Sequence, residues 1–342
     1  MVRTDFLKIL STVSVFTLII YSPFTYAVCQ ILLLCFILIR IKSFEYFTER
    51  KTLVLALSLF LLFIFPSLIF QSFHIDSILK VLNFSLLFLV VQKNDTKKMI
   101  KKVEWFMFPA IIYSLCIYFG ITPDFLNTEY EKMYAFGRNA NSSIFFEADY
   151  AGITAAIIAI YSKRVSTSFS SLGVNVIADY FFGTLAIIGS LFKKILKFSF
   201  LKFLAALFVV FTPWALYYLG PIFFEQRYFI WYSYLNNIDL LAIYKPDNIK
   251  DLIYTDISQS PWGLSGLNLH NGFFESISYK GIIYTLFSII LIFKAFFKSK
   301  KDIFLILFFI GLYQMFSISL GGLSFPSLVF SFLIIEKLKY AQ

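Results

Sequence analysis

The sequence predicts an all-α polytopic integral membrane protein with about 10–12 transmembrane helices. Three observations predict it. Hydrophobic residues make up 59% of the 342 residues and aromatic ones 20%, while only 15% are charged; a water-soluble core of this size has no use for so much apolar surface. Several runs reach the ~17–25 apolar residues that cross a bilayer. Lysine and arginine gather at alternate connections: Arg3/Lys8, Arg40–Lys51, Lys93–Lys102, Lys163/Arg164, Lys193–Lys202, Lys294–Lys301 and Lys337/Lys339. This is the positive-inside pattern, so the clusters mark cytoplasmic ends. The net charge of +10 therefore does not describe a nucleic-acid groove, and no nucleic-acid partner is expected.

The elements follow in order. The run at 6–21 follows Arg3, carries Lys8 near its start and has no small-residue cleavage site, so it is expected to stay as an uncleaved first helix. Runs at 24–39 and 52–70 flank the Arg40–Lys51 cluster, and those at 75–91 and 105–120 flank Lys93–Lys102. The run at 144–161 ends at Lys163, and that at 200–219 leaves the Lys193–Lys202 cluster. Runs at 276–293 and 302–320 flank Lys294–Lys301, and the last, 323–336, ends at Lys337. With Arg3 inside, the connections 121–143 and 220–275 both fall outside, and both termini are cytoplasmic. The parity closes only if residues 165–192 enter and leave on the cytoplasmic side. They would form two short helices meeting near Asp179, or a re-entrant hairpin. There is no internal repeat and no low-complexity tract, so residues 1–342 are expected as a single membrane domain.

Cys29, Cys35 and Cys116 lie in apolar runs and read as packing residues rather than disulfides or ligands. No second His or Cys stands at ligand spacing from His270, so neither a metal nor a cofactor is expected.

Polar groups concentrate in the two external loops. The first, 121–143, carries Arg138 and leads into Glu147 and Asp149 at the membrane start of the next run. Glu147 either caps that helix, where a carboxylate meets the positive end of the dipole, or faces a partner such as Arg138. The second loop, 220–275, opens with Glu225-Gln-Arg227-Tyr-Phe-Ile-Trp231. Arg227 among aromatics is either packed along its stem or a fork-shaped donor for an anion such as pyrophosphate. His270 closes the loop at the membrane mouth and is followed by Asn271. Its imidazole can exchange a proton near neutral pH. The other histidine, His74, sits in a short external turn, and Lys80 in the fourth run is expected to pair structurally with Asp76 one turn earlier.

These residues resemble a known family. Leu269-His270-Asn271-Gly-Phe-Phe-Glu-Ser-Ile-Ser-Tyr-Lys-Gly281-Ile is similar to the His-Asn-x-aromatic…Gly-Ile segment of the O-antigen polymerase and O-antigen ligase superfamily. Arg227 with Trp231 resembles that family's Arg-x-x-x-Trp element. Arg138 followed by Ser142-Ser143-Ile-Phe-Phe-Glu147 resembles the Arg…Ser-Phe-Phe-Glu-Pro element of the polymerases, with Ala148 in place of Pro. Thr167-Ser168-Phe169-Ser170-Ser171-Leu-Gly173 is similar to their Thr-Phe-Ser-x-x-Gly segment. The resemblance covers roughly residues 130–300.

What the resemblance implies is a GT-C-like glycosyltransferase of the bacterial inner membrane, with 220–275 as a large periplasmic loop carrying the active site. The donor would be an undecaprenyl-pyrophosphate-linked glycan, and the acceptor a sugar hydroxyl on a second lipid-linked unit. His270 would take the hydroxyl proton, and Arg227, with Arg138 behind it, would hold the leaving pyrophosphate. Asn271 and Glu147 would position sugar or arginine, and Trp231 would stack on a sugar face. Transfer would be inverting and metal-independent. Membrane lipid and a chain-length regulator protein are the further partners this implies. The Ser-Ile-Phe-Phe-Glu147 element favours polymerase over ligase. A flippase for the same lipid-linked sugars predicts paired repeats and charges spread through midplane helices; here the intramembrane charges reduce to Lys80, Asp179 and Asp149.

Overall fold

The structure is a computed structural model. It describes residues 23–42, 50–105, 107–119, 121, 129–133, 139–141, 148–162, 164–177, 181–196, 231, 234–241, 243–246, 269, 271–299, 303–315 and 318–340. Among these the chain is helical apart from one small ribbon. In chain order the helices are α1 (Pro23–Lys42), α2 (Arg50–Ile69), α3 (Ile75–Val90), α4 (Asp95–Glu104), α5 (Met107–Tyr118), α6 (Ala148–Tyr161), α7 (Val165–Ile177) and α8 (Phe181–Leu196). Then follow α9 (Gly272–Lys280), α10 (Ile282–Lys298), α11 (Ile303–Met315) and α12 (Phe325–Tyr340). The ribbon pairs β1 (Glu129–Met133) with β2 (Asn139–Asn141) antiparallel, with Glu129 opposite Asn141, inside the loop expected at 121–143.

Among the described residues two helices are long and apolar enough to cross a membrane, over Phe24–Ile41 and Lys51–Ile69. A third joins them if Ile75–Val90 and Asp95–Ile117 count as one broken span. The surface of these helices is inside-out for water. On α2 the outward residues are Val54, Leu57, Leu61, Phe65 and Leu68. On α10 they are Ile283, Leu286, Ile290, Phe293 and Phe297, while Tyr284, Thr285 and Ser288 point inward. Spacings of three and four put each apolar set on one helical stripe. An apolar stripe facing out and hydroxyls facing in suit a hydrocarbon surround.

The chain falls into two compact units. The first holds residues 1–45, 90–202 and 323–336. In it α6, α7 and α8 pack on one another, α5 lies on α7, and α4 on α6. Residues 165–192 thus form two helices, and Thr167–Gly173 lies on the first of them. The amphipathic α4 was not expected as an element. Its Lys97, Lys98, Lys101 and Lys102 read as a connection, yet Met99, Ile100 and Val103 at three- and four-residue spacing are buried.

The N-terminus of α4 is held by acidic groups, as the helix dipole favours. Asp95 is fully buried and accepts both contacts from the Arg40 guanidinium (3.1 and 3.3 Å), the Gln92 N–H (2.9 Å) and the Lys98 ammonium (3.1 Å). Arg40 also donates to the Val90 carbonyl at 3.2 Å, and Glu336 accepts from the Thr96 N–H at 2.6 Å. Glu104, at the other end of α4, accepts from Ser162 and Thr167.

The second unit holds residues 46–89, 203–322 and 337–342. Its described core is α10 packed on α2, α9 and α11. The run expected as one span at 276–293 is broken. Gly281 sits at φ +79° and ψ 160°, a region open to glycine alone, and separates α9 from α10. The runs expected at 6–21 and 200–219 lie outside the described residues.

Two predictions follow from these arrangements. Asp95→Ala should destabilise the protein by roughly 3–5 kcal/mol, since Arg40 is left buried without its partner; denaturation of the purified chain in detergent reads this. Gly281→Ala should cost about 1–3 kcal/mol through backbone strain, measured the same way; an unchanged midpoint would mean that the break does not depend on glycine.

Candidate functional site

Two stretches of the second unit pack along α9: the turn before α3, and the described loop residues 231, 234–241 and 243–246. Their contacts are specific. Trp231 Nε1–H donates to the Leu269 carbonyl at 2.6 Å, joining the start of the long loop to its last residues. The Trp231 ring meets Phe274 edge-on, with centroids 6.5 Å apart, and the Tyr234 ring lies 5.3 Å from the same Phe274. Ser278 donates its hydroxyl to Tyr234 Oη at 2.8 Å. Burial pushes the Tyr234 phenol up to about 12, with the Ser278 hydrogen bond pulling the other way. Tyr234 therefore stays protonated at neutral pH and serves as a packed, hydrogen-bonded anchor.

Asn271 starts α9 in extended geometry, and its side-chain oxygen accepts from the Phe273 and Phe274 N–H groups at 3.0 Å each. This is an N-cap, and it satisfies two of the donors that a helix start leaves open. Gly272 follows because nothing larger fits: a Cβ there would stand 2.6 Å from the Ile318 carbonyl oxygen and 2.9 Å from Tyr313. At the other end of α9, the Ile282 N–H donates to the Ile243 carbonyl at 2.7 Å, and Tyr244 O lies 3.1 Å from where a Gly281 Cβ would be. The turn before α3 adds two contacts. Ser72 donates to the Pro246 carbonyl, and the His74 ring lies against Tyr279 with centroids 5.1 Å apart.

Of the residues expected in the site, Trp231 and Asn271 are described, and the structure brings both to the α9 N-terminus. Each is 8% exposed and has a structural role there, Trp231 as a tie and Asn271 as a cap. Contact with a sugar would come in addition to that work. His270, Arg227, Arg138 and Glu147 lie outside the described residues. Lys80 pairs with Asp76 at 2.5 Å, as their spacing predicts.

Two residues without an assigned role also come to the site. His74 belongs to it through Tyr279. Lys280, the last residue of α9, is buried, and its ammonium lies 5.3 Å from the centroid of the Tyr284 ring. In the sequence Lys280 is one more basic residue near a span end, and nothing local marks it as buried. Among the described residues no group of three or more His, Cys, Asp and Glu could hold a metal ion.

Comparison of the chain with protein-family models and with curated proteins finds no match.

The cap and the substrate contact expected of Asn271 separate by experiment. Asn271→Ala should lower stability by ~0.5–2 kcal/mol, and Asn271→Ser or Asn271→Asp should restore it, because either side chain can accept the same two N–H groups. Activity that returns together with stability marks Asn271 as a cap alone; activity lost in the stable Ser variant marks a substrate contact.

Proposed function

We propose that this chain is an O-antigen (surface polysaccharide) polymerase of the bacterial inner membrane. It joins undecaprenyl-pyrophosphate-linked repeat units at the periplasmic face. In this reading ten full spans and the α7–α8 pair make about twelve helices, with both termini cytoplasmic and 220–275 as the periplasmic loop. His270 takes the proton of the acceptor hydroxyl, whose oxygen attacks the anomeric carbon of the donor from the side opposite the leaving group. The bond to the pyrophosphate oxygen breaks, the electron pair leaves with the pyrophosphate, and Arg227 and Arg138 stabilise its charge. The anomeric centre is inverted.

The observation that supports this reading is the hydrogen bond from Trp231 to Leu269. Arg227 precedes Trp231 by four residues, and His270 follows Leu269. The two sequence elements that resemble the family's catalytic segments are therefore fastened to each other, although 37 residues lie between Trp231 and Leu269.

The test is a lipopolysaccharide gel of the source strain with the gene deleted, then restored as wild type, His270→Ala or Arg227→Ala. A general base contributes about 10²–10⁴-fold in rate. The expected result is loss of the ladder in the deletion and in both variants at normal protein levels, with core plus a single repeat remaining. Loss of every O-antigen band, with long polymer accumulating on the lipid carrier, would make the chain a ligase. An unchanged ladder would reject both.

A further inference from the structure

Helix α4 carries two acids and four lysines, and the fold places the two kinds differently. Asp95 is buried on Arg40 and Lys98, and Glu104 accepts from Ser162 and Thr167, so both carboxylates are engaged inside the first unit. Lys97, Lys101 and Lys102 are exposed. They belong to none of the ion pairs among the described residues, which are Arg40–Asp95, Lys98–Asp95 and Lys80–Asp76. At about 100° per residue, Lys97, Lys101 and Trp105 stand one above another with Lys102 to one side. Trp105 ends α4 in helical geometry and is 76% exposed. Three residues on, an apolar row begins on α5 with Phe108, Ile112 and Leu115, all exposed, and Phe119 just beyond the helix. A solvated charge run would account for the lysines alone. It does not account for an indole and four large apolar side chains open along the next row, which water disfavours.

We propose that this row binds an anionic diacyl phospholipid, its phosphate on Lys97, Lys101 and Lys102 and its acyl chain along Phe108, Ile112 and Leu115. The residues follow the order of polarity along a lipid: cations first, then the indole, then hydrocarbon. Trp105 at the boundary is where interfacial aromatics sit, with the ring among the upper acyl carbons and the N–H toward the headgroup. From Phe108 to Leu115 an α-helix rises about 10 Å, within the ~15 Å of one hydrocarbon leaflet. Charge selects the headgroup. Three ammoniums whose helix turns its carboxylates inward attract a lipid of net negative charge, whereas a zwitterionic lipid sets its own cation against them. This contact requires a membrane around α5 and no particular reaction, so it stands apart from the polymerase reading.

The full chain is reconstituted in phosphatidylcholine bilayers, and phosphatidylglycerol brominated on its acyl chains is added at rising mole fraction. The fluorescence of Trp105 is the difference between wild type and Trp105→Phe. Brominated phosphatidylglycerol should quench it at a mole fraction about tenfold or more below that needed with brominated phosphatidylcholine. Lys101→Gln should cut this preference about fivefold, the worth of one basic residue near an anionic surface. The triple variant Lys97→Gln/Lys101→Gln/Lys102→Gln should abolish it. Exposed lysines contribute little to folding, so these variants remain comparable. Lys51→Gln, at an exposed lysine of the second unit, should leave the preference unchanged; an equal loss there would reduce the effect to overall charge and overturn the site. Equal quenching by the two lipids, or an undiminished preference in the triple variant, would also overturn it. Trp105 quenched by neither lipid would mean that protein covers the row, a second copy of the chain included, and would reject the lipid. So would inorganic phosphate that removes the preference where chloride at equal ionic strength does not, since the lysines would then take a free anion.

Discussion

Residues 272–298 have the composition to run as one helix, and the glycine at 281 stops them from doing so. At φ +79° its backbone turns the chain, and the first free N–H of α10 would be left open at the mouth of an apolar bundle. The Ile243 carbonyl takes that N–H at 2.7 Å. An unsatisfied amide in such surroundings costs several kcal/mol, so the break and the loop segment that caps it require each other. From this one constraint follow the separation of α9 from α10 and the seating of Ile243 and Tyr244 against the α9–α10 junction.

The same demand for satisfied polar groups organises the rest of the site. A long polar loop beside apolar helices must send its backbone groups somewhere. Here the Leu269 carbonyl meets an indole N–H, the Pro246 carbonyl meets Ser72, and the first amides of α9 meet Asn271. Trp231, Ser72 and Asn271 thereby anchor residues 231, 246 and 269 and the start of α9, and the rings of Trp231 and Tyr234 pack against Phe274. The first unit solves a similar problem with charge. Its amphipathic α4 starts on Asp95, buried with Arg40, and its Thr96 N–H meets the Glu336 carboxylate.

How much of this was legible in the sequence depends on the range of the interaction. The helices at 24–39, 52–70, 75–91 and 323–336 could be read from apolar runs bounded by lysines, because length and hydropathy are local properties. The Asp76–Lys80 pair was legible from its spacing on one helix turn. Helix α4 was missed because its four lysines outweighed the buried face of Met99, Ile100 and Val103. The break inside 276–293 was missed because hydropathy does not register a positive φ. For Trp231 and Asn271 the sequence indicated a shared location, but their capping and tying roles depend on partners that only the fold supplies. Lys280 could not be read at all, since nothing local distinguishes a buried lysine from one that reaches the membrane surface.

A structural role for Trp231 and Asn271 fits the proposed function. Transfer from a pyrophosphate donor depends on cations already in place when the leaving group develops charge, because the reorganisation that water would need is then avoided. Such cations work best where the dielectric is low, which is also where they are most destabilising when unpaired. A site that keeps one buried must be held rigid by groups that do not themselves touch the substrate. The indole tie at Leu269, the amide cap on α9 and the glycine break after Lys280 are groups of that kind. The tie fixes the backbone of Leu269, the residue before His270, which is proposed to exchange a proton. On this view the apolar packing around Phe274 and the proposed chemistry are two parts of one requirement, since the contacts of Trp231 and Asn271 hold the backbone at Leu269 and at the start of α9, on either side of position 270 in the sequence.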